Sequence, residues 1–261
     1  MRFLYCGDVV GRSGREVVFK NIGNLREKYK LDAVLVNVEN AAHGFGVTAS
    51  MAREFLEKGA DVLVTGNHFL NQRDIARFLD ECKVIVRPAN IPAGNVGHGF
   101  CEFELPDGRV LVVIQVLGRL FMEAVDCPIA AVDNILKNYT LTKNCAAIFV
   151  DIHAEATSEK QALAYYLDGR VSCVAGTHTH VPTSDARVLP KKTAFISDVG
   201  MCGDYESVLG FDVAAPVNRL KRHYTDDKLT PANGAGTLFG IVVETDDVTG
   251  LAKSIEQIRC E

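Results

Sequence analysis

The sequence predicts an α/β fold in which two mixed β-sheets pack face to face and helices cover their outer faces. Two observations support this fold class. Short β-branched hydrophobic runs bounded by Gly and Asn recur along the 261 residues and are typical of buried strands. Segments with apolar residues at helical spacing lie between these runs. Two sheets packed together, with the helices outside, would bury all of the hydrophobic runs.

The chain opens with a predicted β-α-β unit. A strand at residues 2–4 is followed by a helix for which Ser13 is the expected N-cap, and a second strand follows at residues 33–36. The helix has an apolar stripe that consists of Val17, Val18, Ile22 and Leu25. This stripe is the face that should pack on the first sheet.

The remaining first-half elements follow the same reasoning. Helices are predicted at residues 48–58 and 71–81, and strands at residues 61–64 and 84–86. Residues 101–105 and 109–115 form a predicted hairpin, because residues 106–108 read Pro-Asp-Gly, a turn sequence.

The second half repeats the alternation of strands and helices. Helices are predicted at residues 129–139 and 158–167, and they flank strands at residues 146–150 and 171–175. Late strands are predicted at residues 193–197, 237–244 and 252–258. Both halves therefore contribute strands and helices.

The chain is predicted to form a single domain over residues 1–261. No Pro/Ser-rich linker, repeat or low-complexity run divides it, and 48% of its residues are hydrophobic, enough for a substantial core. A net charge of −5 with dispersed Lys and Arg gives no basic stripe for duplex nucleic acid. Nucleotide-sized substrates are therefore favoured over long polymers.

We expect a cytoplasmic protein without a membrane partner. No signal peptide precedes the first strand, and no apolar stretch approaches the roughly 20 residues that a membrane span requires. The eight cysteines show no paired close spacing and several lie inside apolar runs, which favours reduced thiols over zinc ligands or disulfides. The sequence leaves open whether the chain forms a homo-oligomer.

Residues of metal-ligand type stand where predicted strands end. They are Asp8, Glu39 and Asn67 in the first half, and His153, His178 and His180 in the second. In open α/β sheets, ligands gather outside the carboxyl ends of the strands. A divalent cation held by carboxylate, amide oxygen and neutral imidazole needs ligands from several elements, which strand-end loops supply. Together the six residues fit one dinuclear metal site.

The His-x-His pair is the most local part of this pattern. On an extended segment the rings of His178 and His180 fall on one face and could reach different metals of a pair. Glu39 has two carboxylate oxygens and is the natural bridge. Each such residue alone would equally suit a helix cap, a turn or a strand edge; their combination favours the metal site. The histidines without such a setting are expected at the surface: His43, His98 and His223.

The same residues resemble the calcineurin-like metallophosphoesterase superfamily. The resemblance is carried by Gly7-Asp8, Glu39-Asn40, Gly66-Asn67-His68, His153 and residues 176–180. Residues 37–42, 151–160, 176–183 and 198–201 are more closely similar to its bacterial branch of YmdB-type phosphodiesterases. The similarity runs from residue 1 to about residue 245, and residues 151–160 are its most specific part. It implies a four-layer α/β/β/α sandwich and cyclic nucleotides, particularly 2′,3′-cyclic monophosphates, as substrates.

Two positions depart from the family pattern. The wider superfamily opens with Asp-x-His, but Val10 stands where that histidine would be. The first metal should therefore lack one imidazole and recruit Asn40 or water. Branch members carry an aromatic-Asp pair shortly after Asn-His, whereas Phe-Leu-Asn follows His68 here. No carboxylate that could orient His68 is visible locally.

These residues predict a metal-dependent hydrolase of phosphoesters. Two neighbouring cations can bind a phosphoryl oxygen, lower the pKa of a shared water and stabilise the charge of in-line displacement, so a bridging hydroxide is the expected nucleophile. His68 is the candidate general acid, and Asn40 is the candidate for stabilising the developing charge. We assign metal one to Asp8, Glu39 and His180, with Asn40 nearby, and metal two to Glu39, Asn67, His153 and His178.

The ligand chemistry also limits the choice of metal. Mixed oxygen and nitrogen ligation without thiolate suits iron, manganese or zinc, and the resemblance favours iron or manganese. Two other classes of function remain open: a regulatory protein that binds metal or nucleotide with little turnover, and a phosphomonoesterase such as a nucleotidase or protein phosphatase.

Residues 204–236 are expected to cover the metals, because they mix glycine, charge and a short apolar stretch without a strand pattern. Residues 208–211 could form an apolar wall for a nucleobase. The cations that could screen phosphate charge are Arg219, Lys221 and Arg222. A solvated helix and loop is the alternative for this segment.

Overall fold

The computed structural model describes residues 1–261 and contains fourteen strands and six helices. The strands are β1 (Arg2–Cys6), β2 (Asp8–Val9), β3 (Ala33–Asn37), β4 (Val62–Val64), β5 (Ile85–Val86), β6 (Phe100–Glu104), β7 (Val110–Leu117), β8 (Ala147–His153), β9 (Cys173–Thr177), β10 (Arg187–Val188), β11 (Ala194–Ile196), β12 (Met201–Asp204), β13 (Gly236–Thr245) and β14 (Ala252–Cys260). The helices are α1 (Gly11–Tyr29), α2 (Ala49–Glu57), α3 (Ile75–Glu81), α4 (Pro128–Leu136), α5 (Thr157–Leu167) and α6 (Ala214–Lys221). None of these helices combines the length and the apolar composition that crossing a membrane requires.

The strands form two mixed sheets. The first has the order β2-β12-β13-β1-β3-β4-β5, with β14 paired to β13. Its strands β1, β3, β4 and β5 are parallel, whereas β13 is antiparallel to β1. The second sheet has the order β10-β11-β9-β8-β7-β6, and its strands β7, β8, β9 and β11 are parallel.

Alternation along β1 shows how the layers are built. Phe3 and Tyr5 point into the core between the sheets, where their ring centroids lie 5.8 and 4.7 Å from that of Phe149 in β8. Leu4 and Cys6 point to the opposite face, into the core that the first sheet shares with α1, α2 and α3. A third core joins the second sheet to α4 and α5. The predicted fold class, two mixed sheets packed face to face with flanking helices, is confirmed.

Two local predictions about helices were wrong. Ser13 does not cap α1, which begins at Gly11; its hydroxyl lies inside the helix and donates to the carbonyl of Gly234 at 2.8 Å. The third helix begins at Ile75 rather than residue 71, because the preceding residues form turns and Asp74 accepts a hydrogen bond from the backbone of Ala49. The sequence pattern also missed the short strands β2, β10 and β12. The helix α6 lies within residues 204–236, for which a solvated helix and loop was the alternative prediction.

The surface-histidine prediction is confirmed, and the cysteines form no disulfide. All eight cysteines are free, and five of them are buried: Cys6, Cys101, Cys145, Cys173 and Cys202. His43, His98 and His223 are exposed. Val10, at the position that departs from the family pattern, is buried and hydrophobic, so this segment supplies no imidazole.

Candidate metal centre

The predicted ligands all lie at the carboxyl ends of strands. Asp8 follows β1, and the loops after β3 and β4 carry Glu39 and Asn67. In the second sheet His153 is the last residue of β8, and the loop after β9 carries His178 and His180. Because the two sheets pack together, these ends bring all six side chains into one cluster, which we call the metal cluster.

Three potential ligand atoms surround one nitrogen of the metal cluster. Nε2 of His153 lies 2.9 Å from Oδ1 of Asn67, 3.0 Å from Oε1 of Glu39 and 3.1 Å from Nδ1 of His178. A single proton on Nε2 can serve only one of three such acceptors, whereas a cation can be bound by all four atoms. These are the four residues assigned to metal two.

The orientation of His153 is fixed from behind the metal cluster. Its Nδ1 lies 2.9 Å from the hydroxyl of Thr177, and that hydroxyl donates to Asp151 at 2.8 Å. Since the hydroxyl proton goes to Asp151, the oxygen of Thr177 is free to accept the proton on Nδ1. Nε2 is then the nitrogen whose lone pair faces the metal cluster, as metal ligation requires.

The other two imidazoles are held in the same manner. Nε2 of His178 lies 3.4 Å from a carboxylate oxygen of Glu155, which leaves Nδ1 toward the metal cluster. Nδ1 of His180 is 2.9 Å from the carbonyl oxygen of Leu209, which leaves Nε2 free. Each ring thus has an acceptor for one nitrogen and offers the other as a ligand.

A second group of donors corresponds to metal one. Ligand atoms of Asp8, Glu39 and His180 lie within 4.8 Å of one another, and all three residues are buried. Asp8 accepts hydrogen bonds from the side chain of Asn37 at 3.0 Å and the backbone of His178 at 3.2 Å. Glu39 is the residue common to both groups.

Asn40 has an unsatisfied acceptor beside this group. Its side-chain nitrogen donates to the carbonyl of Gly44 at 2.9 Å, while its buried Oδ1 has no hydrogen-bond partner. A buried acceptor left unpaired is costly, and a cation would satisfy it. This arrangement suits a ligand of metal one. One of the two N–H groups of its amide stays available, so the stabilisation of phosphate charge by Asn40 stays a prediction.

The electrostatics of the metal cluster are those of buried charges. Burial raises the pKa of Asp8 to about 6, although His180 and His153 oppose that shift. Burial also acts to raise the pKa of Glu39, but the charge and hydrogen bond of protonated His153 outweigh it and hold the pKa at about 2. Burial opposes the proton on His153, but Glu39 outweighs burial and raises the pKa of His153 to about 9, so a bound cation would take the place of this proton. Burial lowers the pKa of His178 to about 3, with His153 acting in the same direction. Buried carboxylates beside a neutral imidazole fit divalent cations.

Close packing leaves no room for a side chain at Gly66, the residue before Asn67. A Cβ there would fall on Oε2 of Glu39 and within 2.8 Å of the His153 ring. The Gly66 backbone therefore closes one side of the metal cluster, and glycine is the residue type that permits this approach.

The sequence reasoning did not identify a buried ion pair behind the histidine loop. Nζ of Lys160 lies 2.8 Å from Oδ2 of Asp198, and both side chains are almost completely buried. Asp198 also accepts hydrogen bonds from the backbone (3.1 Å) and hydroxyl (2.7 Å) of Thr179, between the two histidine ligands. A lysine on the apolar face of α5, which contains Leu163, Ala164 and Leu167, is the signal that could have revealed it.

This ion pair holds a strained loop. His178 and His180 have φ values of 96° and 64°, in the left-handed region that is unfavourable for residues with a Cβ. Such strain costs on the order of 1–3 kcal/mol per residue and persists only where surrounding contacts enforce it. The hydrogen bonds from Thr179 to Asp198 supply that enforcement.

We therefore expect Asp198→Asn to weaken metal binding by about 10- to 100-fold, the usual range when residues that orient metal ligands are replaced. The loss of charge also leaves Lys160 buried without its partner, which destabilises the fold by about 3–5 kcal/mol. Equilibrium dialysis against Mn²⁺ measures the first effect. Asp32→Asn is the control, because it breaks a partly buried pair with Arg109 at the opposite end of β3. Equal metal affinity in the two variants would contradict the role of Asp198.

His68 lies at the edge of the metal cluster. Its backbone N–H donates to Glu39 at 3.2 Å, and its ring stands edge-on to Phe45 at a centroid distance of 5.1 Å. The side-chain partner of the ring is the amide nitrogen of Asn67, 3.4 Å from Nε2. As the sequence predicted, no carboxylate hydrogen-bonds to this ring.

A cavity of about 380 Å³ opens above the metal cluster, and we call it the first cavity. Glu39, Asn40, His68, His178 and His180 line its floor. Much of its wall comes from residues 204–236: Val208, Leu209, Phe211, Pro216, Arg219 and Leu229. Phe211 stacks on Phe45 at 5.4 Å and 29°. Of the three predicted cations only Arg219 reaches this cavity, whereas Lys221 and Arg222 are exposed outside its lining.

The architecture, with its two mixed sheets, six helices and strand-end donors, is that of a metallophosphoesterase. Two solved structures superpose on the whole chain. A hypothetical protein from Thermus thermophilus gives a TM-score of 0.93 at 38% identity, with 99% of that chain covered. A novel phosphatase from Mycoplasma pneumoniae gives a TM-score of 0.91 at 32% identity, with 93% covered.

Sequence comparison assigns the family. The chain is 43% identical over 258 residues to the 2′,3′-cyclic-nucleotide 2′-phosphodiesterase of Bacillus subtilis strain 168, covering 99% of this chain and 96% of that protein. The model of the YmdB-like protein family matches residues 4–258. The chain belongs to this family, and the resemblance inferred from its motifs is confirmed.

Proposed function

We propose that the protein is a dinuclear metal-dependent phosphodiesterase that hydrolyses 2′,3′-cyclic nucleotide monophosphates. The observation that carries this proposal is the meeting of Nε2 of His153 with three other potential ligand atoms, beside a second group that shares Glu39. The name and the 43% identity of the Bacillus subtilis relative support the phosphodiester as the substrate bond.

The donor set indicates which metals the protein would hold. Asp8, Glu39, Asn40 and His180 would hold metal one, and Glu39, Asn67, His153 and His178 would hold metal two. Oxygen and imidazole donors without thiolate suit iron or manganese, with zinc as a third choice. When bound, such a pair supplies an activated water and neutralises charge on the phosphoryl oxygens.

The protein's own residues position the substrate and move a proton. His68 lines the first cavity next to the metal ligand Asn67, where its ring can protonate the leaving oxygen. Arg219 is the cation in the wall and can bind a phosphate oxygen. Phe211 and Leu209 offer an apolar surface to the nucleobase. Residues 1–261 would act as one domain in which residues 204–236 cover the metals.

The test is a combined metal analysis and substrate screen. We expect about two Mn²⁺ or iron ions per chain, and saturable turnover of 2′,3′-cyclic AMP that exceeds that of 3′-AMP and p-nitrophenyl phosphate. Faster hydrolysis of the monoesters would make the protein a phosphomonoesterase. Metal binding with no saturable turnover of any ester would instead support a regulatory protein.

Phe211→Ala tests the covering role of residues 204–236. We expect the KM for 2′,3′-cyclic AMP to rise about 5- to 100-fold, since stacking a base on an aromatic ring stabilises binding by roughly 1–3 kcal/mol. The KM for p-nitrophenyl phosphate should rise much less, because this ester has no nucleobase. Val213→Ala is the matched control: Val213 is 49% exposed in the same segment and does not line the first cavity. Similar KM changes for both esters would show that the segment is scaffold.

A further inference from the structure

A second groove also borders the metal cluster. It has a volume of about 340 Å³ and is lined by Asn67, Phe121, Met122, Glu123 and His178. His178 also lines the first cavity, together with Glu39 and His180. The predicted metal ligands are thus divided between two openings that share one histidine. A phosphate bound at the metal cluster would have open space next to it in the first cavity and in the second groove.

Phe121 stands out in this second groove. Its side chain is 91% exposed, the highest value among the large hydrophobic residues of the chain. Its φ of 61° is left-handed, a conformation that costs roughly 1–2 kcal/mol for a residue with a Cβ. An exposed phenyl ring on a strained backbone does not stabilise the folded state through burial. A contact with a ligand is therefore the better explanation for its placement.

The loop that carries Phe121 is anchored to the site. It leaves β7 at Gly118, whose N–H donates to the carbonyl of His153 at 3.0 Å. The carboxylate of Glu159 in α5 then accepts the backbone N–H groups of Arg119 at 2.9 Å and Leu120 at 3.1 Å. The ring is therefore presented at a fixed position beside a predicted metal ligand.

The chemistry of the second groove indicates what it can bind. An exposed aromatic ring is a stacking surface for any nucleobase, since every base has a π-face. Glu123 in the same lining disfavours a second phosphate and favours an uncharged group. A phosphodiester has organic groups on two of its oxygens, and a site between two openings can accept both.

We propose that the second groove binds the second nucleoside of a linear phosphodiester, so that the enzyme also hydrolyses dinucleoside monophosphates. The proposal rests on the phosphodiesterase function proposed above. Water adds its oxygen to phosphorus, one P–O ester bond breaks, and the departing ribose oxygen takes a proton from His68. The products are one nucleoside and one nucleoside monophosphate. Because His68 lines the first cavity, the leaving nucleoside lies there and Phe121 stacks on the base that keeps the phosphate.

The experiment compares two substrates with the Mn²⁺-loaded enzyme: the dinucleoside monophosphate ApA and 2′,3′-cyclic AMP. Phe121→Ala should raise the ratio of the KM for ApA to the KM for 2′,3′-cyclic AMP by about 5- to 100-fold, with a much smaller effect on kcat. Leu120→Ala is the matched control, since Leu120 is half exposed on the same loop but does not line the second groove. That ratio should stay unchanged in the control.

Three results would overturn the proposal. If ApA is not hydrolysed while 2′,3′-cyclic AMP is, the second groove is no nucleoside site and the cyclic phosphodiesterase function stands. If neither diester is hydrolysed, the proposed function fails as well. If Phe121→Ala and Leu120→Ala change the KM ratio equally, the loop affects the site only through its backbone.

Discussion

Replacing Glu39 by glutamine should remove most of the bound metal and lower kcat/KM for 2′,3′-cyclic AMP by at least about 10³-fold. Glu39 belongs to both donor groups, and no other residue does. Glutamine keeps the volume of the side chain but loses the negative charge that would bind the two proposed cations. Because the metal pair would supply both the activated water and the charge neutralisation, losing it removes several kcal/mol of transition-state stabilisation.

Metal content per chain after dialysis, measured by mass spectrometry, is the primary readout. Glu16→Gln is the control, because Glu16 is an exposed glutamate in α1 that pairs with Arg12 on the surface. A folded Glu39→Gln protein that retains two metals per chain would show that Glu39 is a structural residue and that the bridging assignment is wrong.

His68→Ala should have a different signature: metal is retained, and the rate falls by about 10²- to 10⁴-fold for substrates with an alkoxide leaving group. The variant keeps the backbone N–H that donates to Glu39. It loses only the 3.4 Å contact between the ring and the amide nitrogen of Asn67, whose Oδ1 still faces His153. A nitrophenolate leaving group needs little protonation. Hydrolysis of bis(p-nitrophenyl) phosphate should therefore fall much less than that of 2′,3′-cyclic AMP.

The control for His68 is His43→Ala, which removes an exposed histidine from the loop after β3. Kinetics with both esters separate the two roles that His68 could have. Equal losses on the two leaving groups, or a loss of metal, would contradict proton donation and leave His68 as a binding or packing residue.

The ligand cluster was predictable because its residues sit at the ends of hydrophobic runs. Asp8 follows β1 and His153 ends β8, and the geometry of parallel strands brings such ends to one edge of a sheet. The positions of these residues directly after hydrophobic runs were enough to predict that they lie close together. The two sheets pack face to face through contacts such as that between Tyr5 and Phe149. This packing brings the strand ends of the first sheet next to those of the second, as the hydrophobic runs had indicated.

Features set by tertiary contacts were not predictable. The Ser13 hydroxyl bonds to Gly234, 221 residues away, which no local capping rule can anticipate. Lys160 looks like a solvated helix residue until Asp198 is placed beside it. The residues that line the second groove come from the loops after β4, β7 and β9. In the sequence Phe121 is one of several apolar residues at positions 116–125, and nothing there marks it as exposed.

The late position of β13 in the chain affects when the proposed metal site can assemble in the cell. β13, residues 236–245, lies between β1 and β12 in the first sheet. The strand that leads to Asp8 therefore has only β3 beside it until almost the whole chain has left the ribosome. Asp8 and His178 are 170 residues apart, and an unfolded chain cannot hold them together. We therefore expect metal uptake to follow the assembly of the first sheet. Bound metal should slow unfolding, because it would stabilise only the folded chain.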